Sequence, residues 1–225
     1  MPRDFFGNYP IVAGLGFSRD VKVLDDCEGA MTWIISGTGG DDVHENAAAA
    51  AFQGAYGLHL KTRTTDAAED DYLMAEKRFD MPASNLLVAR LKIAPIAPEN
   101  IKYLDVNLGI DDGVQPYLGA VRFDFDAGKV YHAKSPTGWT EIPALATVFS
   151  TLTWYTLELS VDCGAHTYLN VRFDGLSADL SDQALQPNGA TNGRAAYLYT
   201  NQTTWAGHPA EVYLDNIYVG EIPEA

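Results

Sequence analysis

Alternation of apolar and polar residues with a period of two is the feature that most limits what this chain can become. A helix would scatter such residues around its circumference, whereas a strand collects them on one face. In GAVRFDFDAGKVYHA, Val121, Phe123 and Phe125 point one way and Arg122, Asp124 and Asp126 the other, and the break from Asp126 to Lys129 reads as a tight turn, which predicts a hairpin. WYTLELSVD sets Tyr155, Leu157, Leu159 and Val161 against Thr156, Glu158 and Ser160. YLNVRFDGLSADL repeats the design through Leu169, Val171 and Phe173, and Asp174-Gly175 turns it into a second hairpin. YGLHLKTRT, YLMAEKRFDM, SNLLVARLKI and YLDVNLGIDDG are further strand candidates. About ten or eleven strands separated by Gly, Pro, Asp and Asn clusters predict an all-β fold, a two-sheet antiparallel sandwich. Helix is scarce, because the alanine run in ENAAAAAFQGAYG is short and ends in glycines, so one or two turns are its limit.

A sandwich of this kind uses 225 residues as one unit, and an apolar share of 47% supplies its core. The expected division is an N-terminal arm over residues 1–21 and a single domain over 22–225. Phe5, Phe6, Tyr9, Ile11, Val12 and Leu15 make the arm too apolar for water, so it packs on its own domain or on a neighbouring subunit. The net charge of −15 opposes binding to nucleic acid or to an anionic membrane and favours divalent cations or basic partners. No stretch approaches the run of about 20 apolar residues that a membrane span needs. The start has a single Arg3 followed by Asp4 and a proline-interrupted apolar stretch, unlike the basic start and unbroken apolar segment of a secretory leader, which predicts synthesis without a signal peptide. Cys27 and Cys163 allow one disulfide, but buried free thiols are the expectation.

The last strand, EVYLDNIYVGEI, sets Asp215 and Asn216 among apolar neighbours, and a buried carboxylate needs a partner. LDDCEGAMTW, near the start, offers Asp25, Asp26 and Glu28. If first and last strands are neighbours, these acids meet and could hold a cation. The alternative is that Asp215 accepts backbone hydrogen bonds.

Three landmarks, LDDCEGAMTW, AYGLHLKT and EVYLDNIYV, with AVRFDFDAGKVYHAKSPTGWTEIP and TWYTLELSVD between them, resemble the concanavalin A-like or laminin-G-like jelly rolls and the related β-sandwich carbohydrate-binding modules. The resemblance spans residues 22 to 222. It implies a jelly roll and a structural calcium joining the first and last strands, which carries over to Asp26 or Glu28 with Asp215, helped by carbonyls near Gly57. Calcium takes six to eight oxygens at about 2.3 to 2.6 Å. Such domains also stand alone on phage particles, which an acidic chain with an apolar arm is similar to.

Catalysis is not expected. The paired-carboxylate strand E-x-D-x-x-E of related glycosidases is missing, since ELSVD from Glu158 to Asp162 has the wrong spacing. The five histidines are scattered singly, and GTGGDD lacks the lysine and helix of a phosphate loop. Sugar binding needs aromatic faces with polar neighbours. Tyr117, Tyr131, Trp139 and Trp205 are candidates, with Arg122 and Asp124 as polar partners; the alternative is that such aromatics fill the core or bridge to a subunit, which Trp33 and Trp154 fit well. The leading expectation is a non-catalytic assembly protein on a virion surface, such as a decoration, fibre or minor capsid component, bound through its arm to copies of itself or to other virion proteins. The alternative is a glycan-binding module for a surface polysaccharide. A divergent glycoside hydrolase or lyase stands third.

Overall fold

The computed structural model describes residues 21–63, 68–81, 85–135, 138–189 and 195–222. Residues 1–20 of the expected arm therefore fall outside the described residues, and its last residue, Val21, already belongs to the first strand. In chain order the first strands are β1 (Val21–Asp25), β2 (Ile34–Gly37), β3 (Val43–Ala47), β4 (Gly57–Lys61), β5 (Tyr72–Phe79), β6 (Leu86–Pro95), β7 (Ile101–Asp111) and β8 (Pro116–Asp124). They are followed by β9 (Lys129–Ser135), β10 (Gly138–Glu141), β11 (Tyr155–Asp162), β12 (Thr167–Phe173), β13 (Leu176–Asp179), β14 (Gln186–Pro187), β15 (Ala195–Thr204) and β16 (Glu211–Glu221). The count exceeds the expected ten or eleven chiefly through short strands such as β2, β10 and β14, which are too brief to alternate visibly. The alanine run gives a single 3-10 turn at Ala48–Ala50.

Two antiparallel sheets face each other. The first runs β13-β12-β11-β6-β16-β4-β3 with β1 added to β16, and the second runs β10-β9-β8-β7-β15-β5-β2 with β14 added to β8. Leu91, Leu157, Leu159 and Leu214 of the first meet Leu104, Val106, Phe123 and Leu198 of the second, all essentially without solvent exposure. Each such side chain contributes about 1.5–3 kcal/mol through burial. The expected all-β sandwich is the fold observed.

Tyr168 links the layers. It projects from β12 through the core, where its hydroxyl accepts the Ala120 N–H at 2.9 Å and faces the carbonyls of Ala120 and Ala133, each at 3.1 Å. The β8–β9 pairing runs from Asp124↔Lys129 to Val121↔His132, and the hydroxyl serves the backbone one residue farther on. Beyond that point β14 pairs with β8 at Tyr117 and Leu118.

The first and last strands meet as expected. β4 pairs with β16 over Glu211–Leu214 and β1 pairs with it from Ile217 to Gly220, while β6 runs along the other side of both halves. At the junction β16 bulges, with Asn216 in the left-handed region at φ 49°. Asp215 sits at this break, fully buried.

Candidate functional site

The core claims one face of each strand in the second sheet, so the alternate residues of β7, β8, β9, β10 and β15 form its outer face. Register sets them in rows. One row reads Asn201, Asp105, Arg122, Tyr131, Glu141 across five neighbouring strands. Beside it run Tyr199, Asn107 and Ala120, and then Ala133 paired with Trp139. Tyr197 stands opposite Gly109 in the row after that.

Arg122 is the centre of this face. Its Nε and Nη2 donate to the two oxygens of Asp105 at 2.7 and 2.8 Å, a bidentate pair across β7 and β8. The guanidinium lies 4.3 Å from the ring centroid of Tyr103 and 4.0 Å from that of Trp139, held between two aromatic faces. Burial pushes the Asp105 carboxyl above the usual carboxylate range, and Arg122 opposes that rise.

The floor next to this pair is made of small residues. Ala120 and Ala133 are buried and, with Leu118, pack under Trp139, Tyr197 and Tyr199. A side chain at Gly109 would collide with the Tyr197 ring, so glycine is what lets that ring lie across β7. Tyr197 and Tyr199 stack with centroids 5.9 Å apart. Burial pushes the hydroxyls of Tyr131, Tyr197 and Tyr199 up, so each stays protonated and can donate a hydrogen bond. Asn107 Nδ2 and Asn201 Oδ1 are buried without a hydrogen-bond partner. Such orphaned groups cost about 1–3 kcal/mol each, which marks polar capacity that folding leaves unused.

Of the residues singled out by sequence, Arg122, Tyr131 and Trp139 come together here. Asp124 shares the face, but its Oδ1 accepts the Ala127 N–H at 2.9 Å and closes the β8–β9 turn. Tyr117 is corrected. It has the same parity as Val121 and Phe123, so it packs against the core and stacks on His166 at 3.7 Å. Trp205 stands in the turn after β15, with Lys102 Nζ 4.8 Å from its ring centroid, at the end of the strand rather than within the rows. Trp33 is in the core as expected, and its indole N–H donates to Asp25 at 3.0 Å. Trp154 is half-buried, packed edge-on against Phe52 at 5.5 Å.

Sequence reasoning passed over Tyr103, Asp105 and Asn107, although the alternation that sends Leu104, Val106 and Leu108 inward also sends these outward. Tyr197 and Tyr199 were missed because β15 itself was missed. Its inward positions Thr200, Gln202 and Thr204 are polar yet buried, which erases the apolar signal.

Near the termini the expected metal ligands serve the backbone. Asp215 Oδ2 accepts the N–H groups of Phe52 and Gln53 at 2.7 and 2.9 Å, and Oδ1 accepts that of Asn216 at 2.6 Å. Glu28 Oε1 accepts the Ala55 and Tyr56 N–H groups at 2.6 and 2.9 Å, and Asp26 takes the N–H of Glu28 at 3.3 Å. These N–H dipoles present positive ends where a cation would need oxygens. Among the described residues no group of three or more His, Cys, Asp or Glu side chains converges to hold an ion. As arranged, Asp26, Glu28 and Asp215 do not fit a calcium site.

An open hollow of about 730 Å³ lies at the β8–β9 turn, lined by residues such as Glu99, Phe125, Asp126 and Phe149. It offers carboxylates but no cation or side-chain amide, so the richer chemistry is on the sheet face.

No protein-family model matches this chain, and no curated protein matches it by sequence. Solved structures do share its fold. The endo-β-1,4-glucuronan lyase of the fungus Trichoderma reesei superposes with a TM-score of 0.60 at 10% identity, over 86% of this chain and 93% of its own. A carbohydrate esterase from the Shiga toxin-encoding bacteriophage phi24B gives 0.56 at 15% identity, over 85% and 90%. A carbohydrate-binding module of the β-sandwich superfamily gives 0.50 at 12% identity, over 92% of this chain and 62% of its own. The expectation of a chain without catalysis is corrected by this comparison. A lyase and an esterase are built on the same sandwich, and the absent E-x-D-x-x-E pattern excludes only one hydrolytic chemistry, because elimination and ester cleavage draw on other residues.

Proposed function

We propose that this chain is a glycan-binding β-sandwich domain whose ligand lies on the outer face of the second sheet, across Tyr131, Trp139, Tyr197 and Tyr199. The observation that carries the reading is the Arg122–Asp105 pair held between Tyr103 and Trp139 beside a floor of alanines. Aromatic faces stack on the apolar faces of pyranose rings, and fixed polar groups between them set orientation through the sugar hydroxyls. A carbohydrate-binding module, a lyase and an esterase with this fold lend the reading support. The expected assembly role on a virion would use the arm, of which residues 1–20 lie outside the described residues, together with one face of the sandwich packed on other subunits.

The test is a glycan array followed by affinity electrophoresis of the full chain. The expected result is binding to at least one polysaccharide, weakened at least tenfold by Trp139→Ala while the circular dichroism spectrum stays that of the parent. A folded parent that binds none of the array, or a Trp139→Ala variant that binds as well as the parent, would defeat the proposal. The same incubations are followed for cleaved or deacylated products, which would extend binding to catalysis.

A further inference from the structure

We propose that the outer face of the second sheet selects an uncharged glycan and rejects a polyuronate of the same linkage. This rests on the glycan-binding reading and adds the class of ligand. Recognition of a uronate carboxylate calls for a cation able to turn toward it, best a guanidinium. Among the described residues, the cations at outward positions of this face are Arg78, Arg122 and Lys129, and each already holds a carboxylate. Arg122 is bidentate on Asp105 at 2.7 and 2.8 Å, Lys129 Nζ lies 2.9 Å from Glu141, and Arg78 is bonded to Glu76. Turning any of them toward a ligand strands its partner, and Asp105, only 7% exposed, has the least access to water.

Asp111 and Asp124 add further carboxylates to the same face, so acids outnumber bases there as they do in the whole chain, whose net charge is −15. A polyanion approaching such a surface is repelled before it makes contact. What the face offers beyond its ion pairs is neutral: tyrosine hydroxyls, the Trp139 ring, and the amides of Asn107 and Asn201 that end with an unbonded atom each. Those groups match hydroxyls. The fungal structure that superposes on this chain is a glucuronan lyase, so shared fold and ligand class part company here.

Matched pairs test this. Oligosaccharides of β-1,4-glucan, β-1,4-mannan and β-1,4-galactan, and the same oligosaccharides oxidised to carboxylates at C6, are titrated into the full chain by calorimetry at low and high ionic strength. A neutral member should bind at least about tenfold more tightly than its carboxylated twin at low salt, and the gap should shrink as salt rises. Asp105→Asn, which releases Arg122, should narrow the gap. Glu141→Gln, at a partly exposed pair, should do the same through Lys129 if the first variant fails to fold. Carboxylated oligosaccharides that bind as tightly as neutral ones, with Trp139→Ala abolishing both, would overturn the selectivity and leave glycan binding standing. Absence of binding to either member of every pair would overturn the selectivity too, and the wider array then decides the reading beneath it.

Discussion

Arg122 and Asp105 face each other across β7 and β8 and share two parallel hydrogen bonds of 2.7 and 2.8 Å on the outer side of the second sheet. Removing the guanidinium leaves a nearly buried carboxylate without its counter-charge. Arg122→Ala should therefore destabilise the fold by about 3–5 kcal/mol, as broken buried pairs do. Urea denaturation of parent and variant measures it. The double variant Arg122→Leu with Asp105→Asn should recover a large part of the loss, because no unpaired charge remains.

Tyr168 offers a second test, on stability alone. Its hydroxyl is the acceptor for the Ala120 N–H, so Tyr168→Phe leaves a buried backbone donor unsatisfied while keeping the ring. The expected cost is about 1–3 kcal/mol. Hydrogen exchange at Ala120 should accelerate in the variant more than exchange on β16.

His132 should make the fold sensitive to mild acid. It is 2% exposed, edge-on to Tyr168 at 5.4 Å, and burial lowers its pKa from 6.5 despite the contact between its ring and the Ala133 carbonyl. The unfolded chain then takes up a proton that the folded chain resists. Its contribution is complete above about pH 6.5 and is lost as pH falls through the lower folded value. Denaturation midpoints measured from pH 7.5 downward should fall in that window, and less steeply in His132→Gln.

Both cysteines are buried free thiols, and burial raises each pKa, that of Cys163 to about 12. Alkylation needs the thiolate. Iodoacetamide at pH 8 should label neither residue in the folded protein and both after denaturation, which mass spectrometry reads directly. Rapid labelling of the native chain would contradict their placement.

How much of this was legible beforehand differs between core and surface. Period-two alternation located β4 to β9, β11, β12 and β16, because each of those strands turns alternate apolar residues into the main core, even where Val88, Leu118, Ala120 and Tyr218 are also buried on the opposite faces. β15 stayed hidden because it buries Thr200, Gln202 and Thr204, whose polarity imitates an outer face. Tyr117 looked like a ligand contact by composition, and only its parity with Val121 and Phe123 sends it to the core side.

The amino-acid sequence alone determined the class of fold, since alternation is a local pattern with few structural solutions, and a lone carboxylate at Asp215 among apolar neighbours pointed to a partner near the first strand. Tertiary register decided the rest. Asp105, Arg122, Tyr131 and Glu141 lie in one row only because four strands align in the second sheet, and Trp139 lies over Arg122 only because β10 closes against β9. Those alignments come from packing between residues far apart along the chain. A side chain carries no mark of which distant strand will lie beside it.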